Sequence, residues 1–389
     1  MNKPASAFDA HTEFVFPENI HYANHATLSP WPRCTADAVS QYASLTHQQG
    51  PLVYAKWMEN DRQLRQLIAR LIGAGSMEDI ALMNNTSAGI NTVARGLEWQ
   101  PGDNIVTVKN EFPSNHLPWK MLARHGVELR TVNLSEHADP EGALIEAMDD
   151  ATRLLALSSV QWIDGFRMDL DRLGAACKAR KNTLFFIDAI QHLGALRVGV
   201  EAQHVDILSA GSHKWQMGPE GMAVFYCNTA AREALQLTHF GWHMLERRFE
   251  FEQEGRSPVR FARRFEAGTP NRIGEVALFA SLSLLERIGM AQVEKAVLDN
   301  TAALMDCLGS IDNIQLLSDP HENRRSGIVS FRHANMDTPA VVKALRSAGI
   351  VAAQRGLAVR LSPHFYQAGG PMDSLIEVLR AELKKLDLF

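Results

Sequence analysis

The chain has 389 residues, 46% hydrophobic and 21% charged, enough for two or three domains with sizeable cores and free of the bias that marks disorder, collagen or a coiled coil. Thirty-nine Lys and Arg against 44 Asp and Glu leave a formal charge of -5, too mild to draw the chain onto a phosphate backbone or an anionic membrane, so nucleic acid and membranes are not expected partners. Cys34, Cys177, Cys227 and Cys307 form no CxxC or Cys/His cluster, MNKPASAFDA lacks the apolar core of a signal peptide, and no run reaches the roughly 18 apolar residues of a membrane span; a reducing cytoplasm and no metal site are expected.

Residues 1–20 are polar, carry Pro4 and Pro17, and read as an N-terminal arm of the kind that lies on a partner subunit. From 59 to 74, Leu64, Leu67, Ile68, Leu71 and Ile72 make the stripe of an amphipathic helix that Gly73 and Gly75 can stop. Short apolar runs then alternate with helical patterns at 80–83, 104–108, 128–132, 154–158, 184–187, 205–208 and 222–226, which predicts an α/β domain with a mostly parallel seven-stranded sheet flanked by helices. Near Gly268 the pattern changes to a long helix at 273–288, strands at 328–331 and 358–361 with a helix between, and a closing helix at 372–386. The expected division is therefore a large domain over 21–272 and a smaller α+β domain over 273–389.

The chemistry concentrates in 184–227. An apolar strand delivers Asp188 at its C-terminal end, where ligands bind in open α/β sheets, and a second strand leads into Ser212-His213-Lys214. An acid and a lysine at neighbouring strand ends are what pyridoxal phosphate requires: an amine to form the Schiff base and a carboxylate to keep the pyridine nitrogen protonated. Opposite charges about 4 Å apart at an effective dielectric near 20 attract by roughly 4 kcal/mol, or about three pKa units. Taken singly, Asp188 is a strand-end turn residue and Lys214 a solvated lysine; the pairing gives them meaning.

With D-x-x-Q, the later His-Lys and GTPN, and flanking NHATLSP and VRLSPHFY, the chain resembles the class V aminotransferases, a family of fold type I pyridoxal phosphate enzymes that includes cysteine desulfurases, kynureninase and isopenicillin N epimerase-like proteins. The resemblance implies that Lys214 carries the cofactor, Asp188 pairs with its pyridine nitrogen, Gln191 bonds its phenolic oxygen and Phe112 stacks on its ring. Thr86, Ser87 and Ala88, at a helix start, would hold its phosphate with His213 and Ser209 or Ser212, while Thr269 would reach the phosphate of a neighbouring subunit, making a homodimer with shared sites. Arg360 would clamp the carboxylate of an amino-acid substrate, and His25, Tyr54 and Trp57 would line its pocket, with Arg355, His364 and Tyr366 as weaker neighbours.

Two departures stand out. The run 349–361 contains no cysteine, so the nucleophile that desulfurases carry shortly before the carboxylate-binding Arg is missing. Trp162, itself a candidate cofactor-binding residue, occupies the place where desulfurases put an Asn, and indole donates one hydrogen bond but accepts none. The expected activity is a class V aminotransferase, with a carbon-sulfur lyase second and an epimerase third; a non-catalytic scaffold is disfavoured because Lys214, Asp188, Gln191 and Arg360 are all intact.

Overall fold

The computed structural model describes residues 9–386 apart from 18, 251, 253 and 254. Pro4 and the first eight residues of the expected arm lie outside these. The described remainder of the arm packs on its own chain: after a single helical turn at Ala10–Glu13, the buried Phe14 stacks on Tyr366 with ring centroids 3.6 Å apart. The short strand β1 (His21–Tyr22) comes next.

The central sheet holds β2 (Ile80–Met83), β3 (Asn104–Val108), β4 (Glu128–Val132), β5 (Thr152–Ser158), β6 (Leu184–Asp188), β7 (Ile207–Gly211) and β8 (Ala223–Cys227), in the order β2-β8-β7-β6-β5-β3-β4. Only β8 runs against the others, so the sheet is mostly parallel, as the sequence predicts. Its apolar runs are unbroken because side chains pointing to either face both meet a core: Leu155, Leu157, Phe185 and Ile187 enter one layer, Leu154, Ala156 and Phe186 the other. Strand β7 extends to Gly211, beyond the expected end at 208, and so carries the chain to the doorstep of Lys214. The amphipathic helix spans Tyr54–Ile72 and stops where Gly73 takes φ +64°, a conformation open to a residue without Cβ.

Beyond the sheet, the helix Arg272–Ile288 breaks at Gly289 (φ +93°) and turns by 85° into a second helix, Met290–Gly309, which the sequence pattern did not mark as a separate element. The C-terminal part then forms β9 (Ile314–Leu316), β10 (Val329–His333), β11 (Ile350–Val351), β12 (Ala353–Arg355) and β13 (Ala358–Leu361), with helices Thr338–Ser347 and Gly370–Leu386. Four of these strands make an antiparallel sheet ordered β12-β13-β10-β9. The fifth, β11, pairs in parallel with β1, and a bridge from Asn24 to Ser362 continues the contact. The chain's beginning is thereby sewn onto its end, with Ala23 in the same core as Phe331 and Leu361. No single helix among the described residues is long and apolar enough to cross a membrane.

Candidate active site

Because β5, β6 and β7 are parallel, the residues just beyond their C-terminal ends share one rim of the sheet. Asp188 closes β6, in register with Ser158 at the end of β5, and Lys214 stands just past β7. The loop around Lys214 is tied from both sides. Ser212 Oγ donates to the Pro219 carbonyl at 2.5 Å, Met217 adopts φ +53° to donate its N–H to the Lys214 carbonyl at 2.9 Å, and Gln216 Nε2 donates to the Gly211 carbonyl at 3.2 Å. Trp215, fully buried, donates its indole N–H to Gln191 Oε1 at 2.9 Å, and a Cβ on Gly327 would stand 2.2 Å from its ring. Lys214 is left with its Nζ 5.9 Å from the centroid of the Phe112 ring, which meets Trp162 edge-to-face.

Electrostatics poise this pair. Burial pushes the Lys214 ammonium down to about 8, helped by Arg360 and opposed by Asp188. Burial likewise raises Asp188 to about 7, against the Ile190 N–H that donates to it at 3.0 Å, and Glu111 raises it further. Glu111 is itself a buried carboxyl, pushed up by desolvation although it accepts from Ser158 N–H at 2.6 Å and Ser158 Oγ at 2.5 Å. A carboxyl held up in this way is returned to its charged form by a cationic ring N–H placed against it.

The helix Thr86–Gly96 points its start at the same rim. It can lie close because Gly89 has no Cβ; one there would meet Ser209 Oγ at 2.4 Å and Phe225 Cδ2 at 2.9 Å. Thr86 Oγ1 accepts the Gly211 N–H at 2.8 Å and keeps its hydrogen for another acceptor. The helix cap is Asn85, which accepts from Ala88 N–H at 2.8 Å, so Thr86 and Ser87 are not spent on capping. His213 sits half-buried beside Lys214, its pKa lowered by burial and by that charge. At the other end lies Arg360, 1% exposed. It donates to the Trp162 carbonyl at 2.6 Å and to Thr27 Oγ1 at 2.8 Å, while its Nε is buried with no partner among the described residues. Its pKa is driven down to about 9 by burial and by Arg355, with no acid acting in the other direction.

The class-V aminotransferase family model matches residues 21–376. The chain belongs to that family. A probable cysteine desulfurase of Methanothermobacter thermautotrophicus is 31% identical over 92% of this chain and 93% of its own length, and another from Pyrococcus abyssi is 28% identical over 83% and 81%. Among solved structures, the cystine C-S lyase C-DES in complex with its product cysteine persulfide superposes with a TM-score of 0.85 at 22% identity, over 93% of this chain and 98% of that one. A cysteine desulfurase of Thermococcus onnurineus NA1 gives 0.86 at 24%, over 99% and 100%. These likenesses show the fold type I architecture.

Within this class-V frame the structure brings Lys214, Asp188, Gln191, Phe112, Trp162, Thr86, Ser87, His213 and Arg360 to one rim, and it alters the roles of several expected residues. Trp162 gives its only N–H to the Asn110 carbonyl at 2.9 Å, so it walls the site and has no donor left for a phenolic oxygen. Ser209 donates to the Thr86 carbonyl at 3.2 Å and Ser212 to Pro219, which commits both hydroxyls to the loop. Gln191 spends one amide hydrogen on the Ala26 carbonyl at 3.0 Å and retains the second. His25 is not free for substrate. Its Nδ1 meets the Ser362 carbonyl at 2.8 Å and must carry the proton, so Nε2 accepts from Tyr366 O–H at 2.7 Å, and burial keeps the ring neutral. His364 is similarly consumed, with Nε2 on the Trp215 carbonyl at 2.9 Å.

Tyr54 is not brought to Lys214 in this chain: it packs with Trp57, Phe249 and Arg272. Thr269 lines a cavity of about 440 Å³ with Ala88, Asn91 and Arg95. Sequence reasoning missed Trp215, Glu111 and Thr27 as site residues: the first two stand beside named residues, and Thr27 lies inside NHATLSP with no distinctive chemistry of its own. The raised Asp188, the lowered Lys214 and the uncommitted hydroxyl hydrogen of Thr86 at the helix start together fit pyridoxal phosphate, the cofactor the family implies, while the orphaned buried Arg360 Nε fits the carboxylate of an amino acid joined to it.

Proposed function

We propose that this class-V enzyme is a pyridoxal phosphate-dependent carbon-sulfur lyase that acts on a cysteine-type α-amino acid. The amino-transfer reading favoured by sequence alone gives way, because the relatives named above carry cysteine and cystine chemistry. The observation that carries the route is the placement of the thiols. Cys34 lies in the helix Arg33–Gln49 and Cys177 in Leu170–Lys178, with burial raising them to about 11 and about 12; Cys227 closes β8, raised further, and Cys307 is buried in Met290–Gly309. None stands on the Arg360 hairpin, so a protein persulfide has no site there and sulfur leaves by direct elimination.

Bound at this rim, the cofactor supplies an electron sink for the pair left at the substrate α-carbon. The chain's residues do the rest. Arg360 fixes the α-carboxylate and thereby orients the Cα–H bond. Lys214, depressed toward neutrality, is available as an amine to take that proton. Asp188 would hold a proton at the ring nitrogen, Gln191 has one amide hydrogen left that it would donate to the phenolic oxygen, Phe112 and Trp162 would wall the ring, and Thr86, Ser87, Ala88 and His213 would hold the phosphate. Elimination breaks Cα–H and Cβ–S with no net redox change: cysteine plus water gives pyruvate, ammonia and sulfide, and cystine plus water gives pyruvate, ammonia and cysteine persulfide. We take the working unit to be a homodimer in which Thr269 faces the neighbouring site.

The test mixes the holoprotein with cysteine, cystine and the common amino acids and follows cofactor absorbance while pyruvate, ammonia and sulfide are assayed. Catalytic pyruvate and ammonia with released sulfur support the lyase. Stoichiometric keto acid that requires a second keto acid for further turnover overturns it in favour of amino transfer.

A further inference from the structure

We infer that Trp215 is a positioning residue that decides which end of the Gln191 amide faces the cofactor, so that an N–H and not a carbonyl oxygen is presented to the phenolic oxygen; this rests on Gln191 being the partner of that oxygen, and not on which reaction follows. A primary amide has one accepting end and one donating end, and a half-turn exchanges them. Two neighbours forbid the turn here. The Trp215 indole N–H, which can only donate, is 2.9 Å from Gln191 Oε1, and the Ala26 carbonyl, which can only accept, takes a hydrogen from Gln191 Nε2 at 3.0 Å. The reversed amide would set N–H against N–H and oxygen against oxygen among three buried residues. Among the described residues Gln191 Oε1 has no other donor.

The indole is held as firmly as the amide it holds. Its ring fills the space that Gly327 leaves open, and its carbonyl lies so near Gly194 that a Cβ there would stand 2.3 Å from the oxygen. That carbonyl accepts from His364 Nε2 at 2.9 Å. His364 has no freedom to withdraw: Nδ1 accepts the Phe365 N–H at 2.8 Å, which leaves the proton on Nε2, its own N–H donates to Gln367 Oε1 at 2.8 Å, and its carbonyl accepts from Asn300 Nδ2 at 2.9 Å. On the other side, the Ala26 N–H donates to Ser362 Oγ at 3.0 Å, and His25 is fastened to the Ser362 carbonyl and the Tyr366 hydroxyl. The bonds close a ring: residues 362–366 grip both His25-Ala26 and Trp215, and those two grip opposite ends of Gln191. Phenylalanine could supply the apolar bulk of Trp215, but no hydrocarbon ring supplies its N–H, and that difference separates positioning from packing.

A hydrogen bond donated to the phenolic oxygen favours the state in which that oxygen carries its full negative charge, so its loss raises the pH midpoint at which the absorbance of the bound cofactor changes. The experiment titrates that absorbance in the holoprotein for the unaltered chain, Trp215→Phe, Gln191→Leu and the double variant, and for a protein with β-(3-benzothienyl)alanine, an indole isostere without the N–H, at position 215. Gln191→Leu should raise the midpoint by about one pH unit, and Trp215→Phe and the isostere by about half a unit to one. Adding Trp215→Phe to Gln191→Leu should move it no further, because both act through one amide. The isostere keeps the shape of the core, so it decides the matter even where Trp215→Phe does not fold. An unshifted midpoint in the isostere protein, or shifts that add in the double variant, overturn the inference and return Trp215 to packing. A Gln191→Leu midpoint equal to that of the unaltered chain removes the contact with the phenolic oxygen and the inference with it, while the lyase reading, which is decided by products, stands apart.

Discussion

Arg360 should destabilise the empty site and serve the filled one, and Arg360→Met separates the two effects. Its guanidinium stays protonated at every working pH, yet burial and Arg355 depress its pKa from the usual guanidinium range to about 9. At about 1.36 kcal/mol per pH unit this corresponds to roughly 5 kcal/mol of destabilisation in the cofactor-free protein. The charge-assisted hydrogen bonds to the Trp162 carbonyl and Thr27 Oγ1 offset it by roughly 1.5 to 2 kcal/mol each. Methionine fills similar volume without charge, so the variant should be more stable in urea by about 1 to 3 kcal/mol. The sign comes from linkage: a base depressed in the folded state destabilises fully below about 9, so the gain should be equal at pH 6 and pH 8. The same substitution should lower kcat/KM for amino acids by about 100- to 1000-fold, mainly through KM. An apo variant less stable than the parent by more than about 1 kcal/mol, or an unchanged KM, would refute the reasoning and make Arg360 a structural anchor.

Asp188 makes the opposite kind of statement about pH. Its carboxyl is raised to about 7 from 3.8, chiefly by burial, so in the cofactor-free protein its contribution to stability is complete below about pH 4 and drains away as pH rises to 7. Urea midpoints measured at pH 4.5, 5.5 and 7 should show a decline with pH that Asp188→Asn removes; identical slopes would disprove it. Lys214, lowered to about 8, should capture added pyridoxal phosphate at a rate that climbs tenfold per pH unit below 8 and levels above it, read as a borohydride-fixed mass adduct. A rate still climbing at pH 10 would show an unperturbed lysine. Replacing Cys34, Cys177, Cys227 and Cys307 together by Ser or Ala should leave sulfur release within about threefold, since none lies on the Arg360 hairpin. Abolished release in a folded variant would instead demand a thiol.

The sheet was legible because buried parallel strands are written as unbroken apolar runs, and the rim was legible because Asp188 and Lys214 end such runs. The division into partners was not. Trp162 and His25 were read as available because a sequence gives side chains without their bonds; in the fold the indole is spent on Asn110 and both imidazole nitrogens on Ser362 and Tyr366. Conversely, Thr27 carries no chemistry that a motif would flag. It becomes the hub of two guanidiniums only because β1 pairs with β11 across more than three hundred residues of chain, laying NHATLSP beside the β12–β13 hairpin. Local pattern reports what a residue can offer, whereas the site depends on what remains after neighbours have taken their share. By that measure, the groups with capacity left include Lys214, Asp188, the Thr86 hydroxyl hydrogen, one hydrogen of Gln191 and the Arg360 Nε, a set that calls for a cationic ring, a phosphate and an α-carboxylate.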